Sequence, residues 1–534
     1  MTNSIDTDVI IAGAGPVGLT LAHELGSRGV RSQILDPRLD AGLMSPRCKQ
    51  MNPRSMEVFR RLGLDTDIRA NARLPFGWSD SAAFCTSLLG HPLERFDGVF
   101  ALSDIQRTEL AAPALWCGQN RLEEALRSGL PPRADVTTRW GWKVTDFDQD
   151  TSGVHVDAVD ELQNAHTITG RYLVAADGGR SMIRRSLGIA LQGRSHELTN
   201  LQVIFRAPGL GDRQRNGRAV QYWVVNQSVN GLMGTLDTED TWWAIIIDAP
   251  QDPTTEWIEH ALHTMIGANY PVDIVSRDPW TARMLVADRY RDGNIFLAGD
   301  AAHLNPPWGG FGANTGIGDA ADLGWKIAAA LQNWGGAKLL DSYESERRPM
   351  AVRAIAEAEQ NMQVLTGELS RPELEQSTAA GDAARAQVAA AIRKHKTAEM
   401  YTLGFVLGAT YRDSPLIVAD DGPAPQSTTS TYRPSGSPGS RLPHLWLGPE
   451  QSLYDDLGPG FTLIEIAAAP ASSAWEQSAV KRAVPFTRLR LNRPDLRETY
   501  GARYLLVRPD QYIAWRSDTD PSEPGAILDY ARGE

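Results

Sequence analysis

The stretch DVIIAGAGPVGLTLAHELGSRGVRSQILD, residues 8–36, decides the fold. Asp8 to Ala12 is a short apolar run, Pro16 to Ser27 is compatible with a helix, and Arg31 to Leu35 is extended again. The segment therefore reads as a strand–helix–strand unit. Between the first strand and the helix stands Gly13-Ala-Gly15-Pro16-Val17-Gly18. Glycines at these three places allow a tight turn and bring backbone amides close to a pyrophosphate, whose charge is favoured at a helix N-terminus. Asp36, at the end of the second strand, is placed to accept hydrogen bonds from ribose hydroxyls. A dinucleotide site follows, and this fingerprint alone does not choose between FAD and NAD(P)H.

Bulk properties narrow the class. A chain of 534 residues is expected to form two or more domains with sizeable cores. With 42% apolar and 22% charged residues it has an ordinary globular composition, and no apolar stretch is long enough to cross a bilayer. The N-terminus lacks the pattern of a secretory signal, so a cytoplasmic location is the expectation. A net charge of −12 speaks against a nucleic-acid surface and favours a small-molecule partner. Cys48, Cys85 and Cys117 show neither close pairing nor metal-ligand spacing, so neither a disulfide framework nor a metal site is expected. Association into a homo-oligomer stays open.

Further along, residues 76–112 are irregular and rich in Pro, Gly and Ser, whereas QNRLEEALR, 119–127, looks helical. Apolar and polar residues alternate over 154–158, and a polar turn leads to Thr167–Ala175, which ends in the apolar run YLVAA. This predicts a hairpin entering a buried strand. From 199 to 248 the runs LQVIFR, AVQYWVV, GLMGTL and TWWAIII predict a separate antiparallel sheet. After Asn294–Asp300 a glycine-rich loop leads to a helix with Ile317, Ala320, Ala321, Gly324, Ile327, Ala328 and Leu331 on one stripe. Residues 366–398 are Ala-rich and helical in pattern, and 415–440, dense in Pro, Ser, Thr and Gly, reads as a linker. Strand-like FTLIEI and YLLVRP in the remainder suggest a small C-terminal α/β domain.

Two later segments identify the cofactor. Ala176-Asp177-Gly178-Gly179-Arg180-Ser181 ends the buried run YLVAA, and IFLAGDAAH, residues 295–303, ends another. Together with Gly13–Gly18 they resemble, in order and spacing, the three fingerprints of the para-hydroxybenzoate hydroxylase family of flavoprotein monooxygenases, over most of residues 1–365. The resemblance implies FAD as cofactor, NADPH or NADH as reductant and dioxygen as co-substrate. Asp300 matches an Asp that hydrogen-bonds a ribityl hydroxyl, and Asp177 and Gly299 belong to the same two fingerprints. The loop Pro306-Pro307-Trp308-Gly309-Gly310-Phe311-Gly312-Ala313-Asn314 resembles the segment that lies against the isoalloxazine. Pro307, Gly310, Gly312, Ala313 and Asn314 are its expected contacts, with amides facing the N1–C2=O edge where charge accumulates on reduction. Arg47 matches a cation near the pyrophosphate, Gln119 matches a helix residue that contacts FAD, and Arg180 and Arg184 are expected to meet the reductant.

The implied organisation is α/β with an α+β insert. A Rossmann-like FAD-binding domain would comprise 1–75, 111–190 and 286–365, and an antiparallel-sheet substrate domain 76–110 and 191–285. A helical connection (366–414), the linker (415–440) and a thioredoxin-like domain (441–534) would follow. That last domain is implied by Arg441–Trp446, Ser452–Asp455, Gly460–Leu463 and Leu506–Trp515, which resemble the C-terminal domain of the phenol and polyketide hydroxylase branch. With no CxxC in 400–534, dithiol chemistry is excluded there.

The implied reaction is hydroxylation of a phenolic or polycyclic ring through a flavin hydroperoxide. Baeyer–Villiger oxygenation or epoxidation on the same fold, and an FAD-binding dehydrogenase that does not oxygenate, stay open. In the family the corresponding sheet roofs the flavin, so Gln221, Tyr222, Trp223, Met233 and Trp243 are candidate substrate contacts, joined from the flavin side by Pro306 and Trp308. Strand neighbours point to opposite faces, so half of the sheet candidates would be core. Tyr222 is a candidate phenol activator. Lys49 is a second, because some phenol hydroxylases of the family place Asp or His near the corresponding position before the segment resembling NPRSME.

Overall fold

The computed structural model describes residues 5–41, 47–130, 135–363, 369–422 and 425–534. Three apolar runs become adjacent parallel strands because each is hydrophobic on both sides, which only a sheet covered on both faces can bury. Ala165–Ala175 lies between Thr7–Ala12 and Ile295–Leu297, and Ser32–Asp36 and Val136–Trp140 extend the sheet beyond Thr7–Ala12. The register sets Ala12 beside Ala175 and Ala175 beside Leu297. All three fingerprints therefore leave the sheet side by side at its carboxyl edge, where open α/β sheets bind ligands. The predicted hairpin, Gly153–Val159 with Ala165–Ala175, is present.

Helix Pro16–Ser27 packs on the strands Thr7–Ala12 and Ser32–Asp36, and Phe311–Leu331 packs along that helix. Gly324 lets them approach, since a Cβ there would stand 2.6 Å from that of Glu24. The predicted stripe is buried from Ile317 to Ala328, but so are Asp319, Asp322 and Lys326 on what reads as the polar side.

The second sheet departs from the expectation of a purely antiparallel one. Its order runs His303–Leu304, Asp273–Ala287, Leu191–Arg206, Thr241–Ile246, Gly231–Thr235, Gln221–Val224, Ala82–Cys85, Pro92–Phe96. Gln221–Val224 pairs in parallel with Ala82–Cys85, a strand supplied by the region that reads as irregular. One face packs on the helix Thr255–Ile266, burying Tyr222, Met233 and Trp242 against Ala261, Leu262 and Met265. The other carries Trp223 and Trp243 and meets Trp308 and the helix Ala379–Met400.

In the C-terminal part, Phe461–Ile466 pairs in parallel with Phe486–Leu491 and antiparallel with Tyr504–Val507, which pairs antiparallel with Ile513–Ser517. Phe461 and Trp475 share a core with Trp325 and Trp334, so this unit is fused to the helix that opens at the flavin loop. Segment 415–440 is not a loose tether where it is described. Leu416 and Ile417 are buried, Ser440 bridges to Thr410, and a side chain at Gly436 would collide with the Tyr500 backbone.

A buried charge cluster locks the same junction. Lys326 donates to Asp322 at 2.8 Å and to Glu346 at 2.6 Å, while Arg508 donates to Glu346, Asp510 and Asp322. Asp322, Glu346 and Asp510 have the spacing of a metal site, but the two cations already neutralise most of their charge. Burial would raise the Glu346 carboxyl, yet Arg508 and Lys326 hold it well below the usual range. Its contribution to stability is thus present above the unfolded-state carboxylate pKa and fades as pH falls through the folded one. Arg508→Met strands at least two carboxylates in the interior and is expected to cost about 3–5 kcal/mol. Urea unfolding followed by tryptophan fluorescence reads this directly, and wild-type stability in the variant would show that the cluster contributes nothing.

Candidate active site

The three fingerprint glycines are held by different constraints. Gly13 has φ +106°, and a side chain there would collide with the Ala176 carbonyl, while one at Gly18 would collide with the Gly13 carbonyl. Both are demanded by protein packing. Gly15 is extended, and a Cβ there would meet no protein atom within 4 Å. It is the N-cap of Pro16–Ser27, and among the described residues no side chain caps the first-turn amides there. Unsatisfied amides at such a terminus attract an anion, so this cradle fits a pyrophosphate. Beyond it, Asp36 accepts from the Ala14 amide at 2.6 Å, and Arg38 bridges Asp36 to Glu123. Sequence reasoning missed Arg38 and Glu123, the first only two residues beyond Asp36.

The third fingerprint is packed onto the first: Gly299 has φ +60°, and a Cβ there would lie 2.7 Å from Val17. The neighbouring Asp300 is exposed and forms no hydrogen bond or ion pair among the described residues. An accessible carboxylate without a partner fits a sugar-chain hydroxyl. Behind it, His303 bonds Asp319 at 2.8 Å; burial opposes its charge, but Asp319 outweighs this and raises its pKa.

The loop then turns through Gly309 and Gly310, at φ +91° and +66°, into Phe311–Leu331. Pro307 is exposed and Gly312 and Ala313 are half-buried, at a helix start whose amides lack intrahelical acceptors. The Asn314 side chain is fully engaged: it donates to Gln50 and Gly310 carbonyls and accepts from Asn52 N and Ser55 Oγ. Any contact it makes with a flavin must go through its backbone.

Asp177 accepts from the Met182 and Ile183 amides with Oδ2, and its buried Oδ1 has no partner among the described residues. One expectation is corrected. Arg184 is buried and donates to the Gly179 and Ala301 carbonyls, bracing the second and third fingerprints, so it is not open to a reductant. Arg180 is exposed. Arg47 pairs with Asp278 at 3.0 Å, and Gln119 links the Cys48 amide to Glu123.

On the sheet, alternation separates the candidates. Tyr222 and Met233 belong to the face against Thr255–Ile266 and are removed from the substrate side. The Tyr222 hydroxyl donates to Gly217 O and accepts from Ala219 N, and burial pushes it up to about 12, far from a phenol activator. Gln221 approaches Met400, and Trp223, Trp243 and Trp308 lie on the flavin-side face, with the buried Pro306 beside them in the loop. Lys49 reaches this face too: its Nζ donates to Gln202 at 3.0 Å and lies 4.5 Å from the Trp243 ring. Burial lowers its pKa to about 8.

The helix Ala379–Met400 adds residues that the sequence pattern hid. Lys396 lies 4.8 Å from the Trp223 ring and donates to Glu399 at 2.7 Å. Their only signal was a charged run in a helical segment.

Gly15→Ala should leave the apo fold intact and weaken FAD by about tenfold or more, or about 1.4 kcal/mol, whereas Gly13→Ala should fail to fold. Thermal melting of apoprotein with a flavin fluorescence titration separates the two, and full FAD affinity in Gly15→Ala would refute the cradle.

Comparison with known proteins agrees with this geometry. A family described as FAD binding domain matches residues 6–358, and one described as aromatic-ring hydroxylase, C-terminal, matches 435–531. A putative polyketide hydroxylase of Streptomyces halstedii is 32% identical over 95% of this chain and 93% of its own. Tetracenomycin B2 monooxygenase-dioxygenase of Streptomyces olivaceus is 32% identical over 98% of each chain. The solved structure of the rebeccamycin biosynthetic enzyme RebC with reduced flavin superposes with TM-score 0.90 at 32% identity, covering 99% of both chains. The chain belongs to the FAD-dependent aromatic-ring hydroxylases and is a flavoprotein monooxygenase.

Proposed function

We propose that this monooxygenase hydroxylates a fused-ring phenol, with NADPH or NADH as reductant. Bound FAD supplies the redox and oxygen-transfer chemistry. The chain supplies the rest. Gly15 and the N-terminus of Pro16–Ser27 receive the pyrophosphate, the Asp36–Arg38–Glu123 group faces the ribose, Asp300 takes a ribityl hydroxyl, and the Gly312 and Ala313 amides face the ring edge. Buried Trp308 and Pro306 keep water from the face where the substrate would lie. Exposed Arg180 is the remaining candidate for reductant contact.

The observation that carries the substrate reading is the breadth of the aromatic face: Trp116, Trp223, Trp243 and Trp308 all belong to the flavin-side cluster. From Trp280 beside Trp308 to Trp223 the sheet runs four strand spacings, about 19 Å, several times the width of one ring. The polyketide and tetracenomycin B2 named for the relatives are in keeping with this size.

A panel running from phenol to tricyclic and tetracyclic hydroxyquinones, assayed for NADH and NADPH oxidation and for one atom from labelled dioxygen, tests the reading. Multi-ring compounds should stimulate flavin reduction and take up label while phenol does not; the reverse order would sink it. Tyr222→Phe should keep the hydroxylation rate and lose only about 1 kcal/mol of stability for its missing hydrogen bonds. A large loss of rate without loss of stability would return Tyr222 to the chemistry.

A further inference from the structure

We infer that Lys49 is the charge partner of an ionised oxygen on the substrate, its ammonium pairing with a phenolate held between the Trp243 indole and the flavin loop. The inference rests on the aromatic-hydroxylase reading of the site and assigns within it a group that binds and orients the ring.

Place comes first. Residues 47–51 cross between the two halves of the site. Arg47 pairs with Asp278, which stands beside Gln202 in the sheet register, and the Gln50 amide oxygen lies against Gly310 of the flavin loop. Lys49, between them, extends over the sheet to Gln202 and Trp243. Ile204 pairs with Trp243 across the neighbouring strands, and both lie on the flavin-side face.

Charge comes second. Three lysines are buried. Lys326 has Asp322 and Glu346 at 2.8 and 2.6 Å, and Lys396 has Glu399 at 2.7 Å. Lys49 has no carboxylate partner among the described residues; it has a neutral amide oxygen and an indole face. A buried ammonium without an anion is costly, and a cation–π contact returns only about 0.5–2 kcal/mol. Among the described residues the one titratable group acting on it is the adjacent Cys48 thiol, which burial pushes up and keeps neutral. One unmatched positive charge on this face calls for an oxygen anion.

The proton balance is simple. If Lys49 meets the ligand charged, the phenolic proton leaves to solvent; if it meets it as the amine, the proton moves to Nζ. Both routes end in phenolate paired with ammonium, and no bond to carbon changes. An opposite charge at contact distance lowers an acid's pKa by about 1–3 units, and the phenolate is the more electron-rich ring for oxygen transfer.

The test uses FAD-loaded protein and 1,8-dihydroxyanthraquinone, which reddens on ionisation at wavelengths beyond oxidised flavin absorption. The apparent pKa of the bound dye should fall at least about one unit, a tenfold shift toward the anion. Lys49→Met should abolish the shift and Lys49→Arg should retain it, with flavin content confirming that both fold. Absence of dye binding to wild type, an unshifted bound dye, a shift that survives Lys49→Met, or a shift lost equally in Lys49→Arg would each overturn the inference. None of these touches the hydroxylase reading, which stands on label uptake by the wild-type protein.

Discussion

The Asp319 carboxylate holds the flavin side of the molecule together. It is fully buried and accepts from the Gly299 amide at 3.1 Å, His303 Nε2 at 2.8 Å and Arg347 Nε at 2.8 Å. Arg347 in turn donates to the Thr315 carbonyl and the Tyr411 hydroxyl. Burial works against the charge, but Arg347 and His303 outweigh it and leave the carboxyl below its usual range. The third fingerprint, the strand that carries His303 and the first turns of Phe311–Leu331 are thus fixed to one ion. Asp300 and the loop before Gly312 inherit their positions from it. Charge-assisted bonds shut away from water are stiff as well as strong, and oxygen transfer depends on such positioning.

Around that anchor the second sheet works as a partition. Its outer face is an ordinary core against Thr255–Ile266, and its inner face is lined with tryptophans and Lys49. The helix Ala379–Met400 closes the inner face at one end, and Trp308 of the flavin loop packs into the same cluster.

What the sequence revealed followed the range of the interactions. The fingerprints were legible because a strand, a glycine turn and a helix start are local, and the register then placed Ala12, Ala175 and Leu297 together. Alternation showed that the aromatic strands have two faces, but not which face turns to the flavin. Gln221 and Trp223 fell on one side, Tyr222 and Met233 on the other. The burial of Asp319, Asp322 and Lys326, opposite the apolar stripe, was not legible because their partners Arg347, Glu346 and Arg508 are distant in sequence. Arg184 looked available because one of its acceptors, the Ala301 carbonyl, is distant in sequence. Composition made 415–440 a linker, although small polar residues also suit a chain pressed flat against a neighbour, as Gly436 is.

The junction at Arg508 bears on how such proteins can be recombined. Its guanidinium comes from the C-terminal unit, while Asp322 and Glu346 come from the nucleotide-binding part. The two parts are therefore halves of one ionic lock, and a gene fusion joined near residue 440 must carry matching teeth on both sides. Shuffling among relatives is constrained by that pairing more than by the length or composition of the joining segment.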